Sequence, residues 1–144
     1  MLDLFSLPAL TLATTGLDGE PHAAAVYFVA CEGAAAGLRL YFFSDPLSQH
    51  GRDLHQDGRA AAAIFPLARG WQDIRGLQLR GLAEMVAAGA EWETAWVAYA
   101  GKFPFVVGLR KEVAHNSLYA FIPSWFRLID NQRGFGYKKE WTIP

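Results

Sequence analysis

The stretch "WQDIRGLQLRGLAEMV", Trp71 to Val86, alternates in side-chain character. Leu77 and Leu79 fall on one side of an extended chain and Gln78 and Arg80 on the other, because successive residues of a strand point to opposite faces. The pattern predicts a long antiparallel strand with one wet face. Working outward, "RAAAAIF" (Arg59–Phe65) is short, apolar and closed by Pro66, which reads as a buried strand. "ALTLATT" (Ala9–Thr15) and "HAAAVYFVACE" (His22–Glu32) flank "GLDGEP", a Gly/Asp/Pro cluster suited to a hairpin turn. The alanines of the second segment suggest helix, but Val26-Tyr27-Phe28-Val29 and the preceding turn favour strand. "GAAAG" (Gly33–Gly37) is a small connection to a third strand, "LRLYFFS".

Two segments change period. "PLSQHGRDLHQD" carries one apolar stripe through Leu47 and Leu54, with Pro46 in its first turn and Asp57-Gly58 as its stop. In "GAEWETAWVAYAGKFP" Trp92, Ala95, Trp96 and Tyr99 recur at three and four, and Gly101 then Pro104 end the helix. "SLYAFIPSWFRLIDN" returns to strand with a bend at Pro123, and "QRGFGYKKEWTIP" is a loop before a short final strand. Roughly six strands with two inserted helices make a mainly β, antiparallel, barrel-like α+β domain. The expected organisation is a single domain over residues 1–144.

The bulk numbers narrow the function. At 52% hydrophobic and 19% charged residues the chain is not disordered. A net charge of -1 without a dense Lys/Arg cluster gives no support to a nucleic-acid or anionic-membrane partner. No apolar run approaches the ~20 residues of a membrane helix, and "MLDLFSLPAL" lacks a basic leader and is broken by Pro8. Cys31 is alone, so there is neither an intrachain disulfide nor a CxxC motif. The expected location is the cytoplasm.

Chemical motifs are sparse. His22, His50, His55 and His115 include no pair at i,i+4, and no zinc spacing occurs. No G-x-S-x-G is present, and neither Ser44 nor Ser48 shows an Asp/His partner nearby in sequence, so no catalytic residue is assigned. "GFG" at Gly134–Gly136 lacks a third glycine and reads as a turn. The β-to-α junction "SDPLSQH" (Ser44–His50) leaves two readings open. Its hydroxyls, with Gln49, His50 and a helix N-terminus, suit an anion; Asp45 as cap with both serines facing water is ordinary punctuation. The five tryptophans suit a core, a subunit contact or a planar ligand alike.

In order and spacing, "TLATTGLDGEPHAAAVYFV", "LYFFSDPLSQHGRDLHQDGRAAAAIFP", "IRGLQLRGLAEMV" and the tail "WFRLIDNQRGFGYKKEW" resemble the FMN-binding split barrels of the pyridoxamine 5'-phosphate oxidase superfamily, particularly its small members. The resemblance covers nearly the whole chain. It implies an antiparallel split β-barrel, a homodimer and FMN as cofactor at the subunit interface. It assigns Ser44, Ser48, Gln49 and His50 to phosphate contacts and sets the strand at Val26 and Tyr27 beside the flavin ring. Arg75 falls on the strand of a flavin-contacting Arg-Gln pair, and Trp141 in the tail that reaches the partner. Gln49 and His50 stand where the family carries Arg and Lys, Ala24 replaces another basic residue, and Gly76 replaces the glutamine. The tail lacks the Arg-x-His that holds vitamin B6 substrates. The resemblance implies a flavin-dependent oxidoreductase of unknown substrate, or a non-catalytic dimer binding flavin or another planar cofactor such as heme.

Overall fold

In the computed structural model, which describes residues 1–33 and 37–143, the chain begins its sheet with a hairpin of β1 (Ala9–Thr15) and β2 (Pro21–Gly33). The register runs from Ala9 opposite Tyr27 to Thr15 opposite Pro21. Gly16 N–H donates to Glu20 O at 3.0 Å across the turn, and Gly19 supplies the positive φ (78°) that closes it. The middle of the connection expected at Gly33–Gly37 lies outside the described residues. Beyond it come β3 (Gly37–Ser44), β4 (Arg59–Ile64), β5 (Arg75–Val86), β6 (Ser117–Asp130) and β7 (Lys138–Thr142).

Every neighbouring pair is antiparallel, in the order β3-β2-β1-β4-β5-β6-β7. An added β3–β6 pairing, Leu40 opposite Phe121 through Ser44 opposite Ser117, closes six strands into a barrel. β6 is therefore shared on one edge: its first part holds β3 and its later part, Trp125 to Ile129, holds β7. The barrel is split between those two partners, where Trp141 of β7 stacks on Phe126 with centroids 5.3 Å apart. β7 is the outermost strand.

The alternation of β5 holds: Leu77 and Leu79 are buried, while Gln78 is half-buried and Arg80 exposed. β4 corrects one expectation. It is not buried on both faces, since Ala60, Ala62 and Ile64 point inward while Ala61 and Ala63 look out from the sheet. The bend expected at Pro123 is a bulge. Arg80 sits opposite Trp125 and Gly81 opposite Pro123, which leaves Ser124 as the extra residue. A Cβ on Gly81 would stand 2.0 Å from Ile122 O, so only glycine fits there.

Among the described residues three α-helices accompany the seven strands: α1 (Gln49–Gln56), α2 (Ala90–Lys102) and α3 (Arg110–Ala114). The barrel interior is filled by Leu12, Phe28, Phe42, Leu77, Leu79 and Phe121 among others. A second apolar layer forms outside, where α2 presses Ala95, Trp96 and Tyr99 on Val29 and Tyr41. Phe43 meets Trp92, Trp96 and Tyr99 edge-on at 5.9, 6.0 and 5.0 Å. Tight turns over Pro104–Leu109 lead into α3, a segment for which the sequence suggested no element.

The end of α2 also fastens the N-terminal turn, Leu2–Ser6. Lys102 Nζ donates to Phe5 O (3.1 Å), Leu7 O (2.7 Å) and Phe28 O (2.7 Å), and lies 4.0 Å above the Phe28 ring. Asp3 on the same turn accepts two hydrogen bonds from the Arg75 guanidinium, at 2.6 and 3.0 Å.

Candidate functional site

The junction of β3 and α1 is where the resemblance sets a cofactor's anionic end, and the local structure corrects the reading of it as a helix capped by Asp45 with both serines facing water. Pro46 does not open the helix. It lies in a turn in which Asp45 Oδ1 accepts from Leu47 N–H at 2.8 Å. Ser48 is the N-cap: its Oγ accepts from Gly51 N–H at 3.2 Å and donates to Asp45 O at 2.6 Å. Gly51 allows the helix to fold back on this turn, because a Cβ there would meet Asp45 O and Pro46 O at 2.7 Å.

Ser44, at the end of β3, is buried, and its Oγ lies 2.7 Å from His50 Nε2; Ser48 Oγ is 3.4 Å from the same nitrogen. This corrects the expectation that neither serine has a histidine partner: six residues and one turn separate the two side chains that meet. Burial, and secondarily the nearby His22, push the His50 imidazole below its ordinary pKa, against the opposing pull of Asp53. The pair therefore stands as a neutral imidazole with a hydroxyl. It has the spacing of a nucleophile and its base. The nearest carboxylate on α1 is occupied elsewhere, however, so no relay behind His50 is built from it.

That carboxylate is Asp53, only 3% exposed. Thr14 Oγ1 donates to it at 2.7 Å from β1, and Gln49 Nε2 at 2.8 Å from the first turn of the helix. Burial alone would raise its pKa, but these hydrogen bonds, with His22 and Arg52 nearby, bring it below the ordinary carboxylate range. Asp53 is thus a fixed negative charge at the mouth of the barrel. Gln49 is held twice, since its Oε1 also accepts from Arg52 at 3.1 Å. Beside the first turn of α1 a hollow of about 600 Å³ is lined by Asp18, Leu47, Gln49, Arg52 and Asp53.

The other expected residues lie apart from this cluster. Val26 points into the core, so only its backbone is available to a ligand, whereas Tyr27 is 58% exposed and stands edge-on to Phe103. Ser44 is paired with Ser117 and Arg75 with Asp130, which puts the two at opposite ends of β6. Along the strand that is on the order of 40 Å. Arg75 is committed to Asp3, although its buried Nε has no acceptor. Trp141 packs on its own chain's barrel. One protomer therefore assembles Ser44, Ser48, Gln49 and His50, and leaves Tyr27, Arg75 and Trp141 on separate surfaces. Sequence reasoning missed Thr14, His22 and Asp53, since Thr14 and Asp53 are 39 positions apart and nothing local links them.

Among the described residues no three His, Cys, Asp or Glu side chains converge as metal ligands, and no helix is long and apolar enough to cross a membrane.

Comparison with known proteins assigns the architecture. Residues 4–122 match the family model described as pyridoxamine 5'-phosphate oxidase. A UPF0306 protein of Serratia proteamaculans is 30% identical over 108 residues, which is 75% of this chain and 71% of that protein. A heme binding protein from Mycobacterium smegmatis superposes with a TM-score of 0.76 at 23% identity, over 95% of this chain. The chain spans only 53% of that protein's length. The heme storage protein of Vibrio cholerae superposes with a TM-score of 0.70 at 16% identity, over 85% of this chain and 87% of its own.

Proposed function

The chain belongs to the pyridoxamine 5'-phosphate oxidase family, and from that premise we propose that it is a homodimer binding a planar cofactor, a flavin (FMN or its neutral counterpart riboflavin), for flavin-dependent redox chemistry on a small molecule. The gathering of Ser44, Ser48, Gln49 and His50 at one β-to-α junction carries this reading, because those positions match the family's phosphate contacts. Their chemistry fits in part. Two hydroxyls, an amide and an imidazole can hydrogen-bond the ligand's polar end, but none is a permanent cation. When bound, a flavin supplies the acceptance and return of a hydride or electrons. The protein's part is to hold it, with the β2 backbone at Val26–Tyr27 alongside the ring. Arg75 sits opposite the other end of β6 from Ser44, and Trp141 lies on β7, so neither is part of the junction. They serve at the subunit contact.

The dimer is supported by apolar surface. Phe65, Leu67, Trp71, Ile74 and Phe135 are all exposed, and Trp71 meets Phe135 edge-on at 5.6 Å. Light scattering at micromolar concentration gives twice the chain mass on this reading, and a monomer refutes it. A net charge of -1 gives no support to a nucleic-acid or membrane partner, and we place the protein in the cytoplasm as one domain over residues 1–144.

A second reading, a non-catalytic dimer binding heme or another planar cofactor, is favoured by the missing permanent cation and by the likeness to two heme proteins. The absorbance spectrum of the purified protein, then denaturation and identification of the released molecule, separates the two. Released flavin with NAD(P)H-dependent reductase activity supports the first reading. Released heme supports the second, and failure to bind either when supplied refutes both.

A further inference from the structure

We propose that Asp53 makes the α1 end of the cofactor site reject a phosphate dianion, so that the flavin end seated there is a neutral polyol. The inference rests on the reading above that the site takes a flavin, and it concerns which flavin.

The four positions matched to phosphate contacts are already engaged with one another or with the backbone. Ser48 caps α1 and bonds Asp45 O; Gln49 is fixed between Asp53 and Arg52; Ser44 and His50 share one hydrogen bond. A dianion would have to break these contacts, and Arg52, the cation that lines the adjoining hollow, would have to leave Gln49 to meet it. Of the arginines on the flanking strands, Arg39 of β3 is paired with Glu91 and Arg59 of β4 with Asp57. Arg52 is exposed and turned to Gln49.

Repulsion adds to this. Asp53 follows Ser48 by five residues, which places it within about 8 Å along the axis at ~1.5 Å per residue. It is only 3% exposed on the wall of that hollow, and its two donors hold it in place and keep it ionised at neutral pH. Asp18 on the rim of the adjoining hollow has the same sign. A hydroxyl, by contrast, can donate to or accept from Ser44, Ser48 and neutral His50 while leaving Asp53 paired. The ribityl chain of riboflavin has that character, and the phosphate of FMN does not.

Fluorescence titration with riboflavin and FMN at pH 7 tests the proposal, using wild type, Asp53→Asn and Gln49→Arg. Asparagine keeps the size of Asp53 and one acceptor, its NH2 meeting the Gln49 carbonyl oxygen once that amide turns over, and exposed Gln49 can change without disturbing the core. Wild type should bind riboflavin at least as tightly as FMN. Each variant should tighten FMN about tenfold and leave riboflavin within threefold. FMN binding tenfold tighter than riboflavin in wild type overturns the inference while leaving the flavin reading intact. An equal response of both flavins to Asp53→Asn and Gln49→Arg overturns it as well. If no protein of the set binds either flavin, both the inference and the flavin reading fall.

Discussion

Replacing Lys102 by methionine isolates what holds the N-terminal turn to the barrel. Methionine keeps most of the apolar stem and removes the ammonium, with three hydrogen bonds of 2.7 to 3.1 Å and its seat over Phe28. Burial pulls the Lys102 pKa down to about 8, so at pH 7 the group still carries its proton. Hydrogen bonds to a charged donor contribute about 1.5–3 kcal/mol each. Removing a half-buried charge returns part of the sum as relieved desolvation. The net loss should be about 2–3 kcal/mol, a large share of the roughly 5–15 kcal/mol that stabilises a domain. Urea unfolding at pH 7 should show it as a lower midpoint with unchanged slope. Hydrogen exchange should quicken first at Leu7 and at Phe28, whose N–H donates to Pro8 O. A variant within 0.5 kcal/mol of wild type, with unchanged exchange at those amides, would mean that the buried Leu4 alone anchors the turn.

Two glycines make a matched pair. Gly81→Ala forces a Cβ against Ile122 O and should cost about 3 kcal/mol or more. Gly101→Ala, inside α2 with open space around it, should stabilise by about 0.5–1 kcal/mol. Thermal melts that rank them otherwise would refute the bulge geometry. Trp141→Ala removes the stack on Phe126 and should cost about 2 kcal/mol. If light scattering shows only a weakened dimer and monomer stability is unchanged, Trp141 serves the subunit contact alone. The Arg75 guanidinium, through its hydrogen bonds, holds the exposed Asp3 carboxyl down to about 2. That pair's contribution should be complete above pH ~4, the unperturbed carboxylate range, and lost as pH falls through about 2. Solvent limits it to about 1 kcal/mol or less, and Asp3→Asn should abolish this part of the acid transition. An identical acid profile in the variant would contradict the pairing.

The elements that sequence disclosed are those whose periodicity has only one physical meaning. The Leu77/Gln78/Leu79/Arg80 alternation and the Trp92/Ala95/Trp96/Tyr99 spacing each define one face, and each formed as expected. β4 reads as buried on both faces because alanine suits either side of a sheet, so its four alanines hide their own alternation. The start of α1 was placed at Pro46 by helix preference, whereas Ser48 won because its hydroxyl reaches Gly51 N–H. The candidate site was legible in its local members, Ser44 to His50. Its electrostatics were not, since they depend on Asp53 being buried against Thr14 and near His22, which only the closed sheet brings about.

Barrel closure has a consequence for how two copies can meet. With β3 and β6 joined, β7 is the strand left at the margin of the sheet, and it is five residues long with Lys138, Lys139 and Glu140 in sequence. A foreign strand that tried to extend the sheet there would have to strip water from three charges for few ladder bonds, the device by which sheet proteins resist templated polymerisation. Growth into open-ended fibrils is thereby discouraged at the outermost strand of the described sheet. Self-association is left to faces, whose extent is finite and whose symmetry can close.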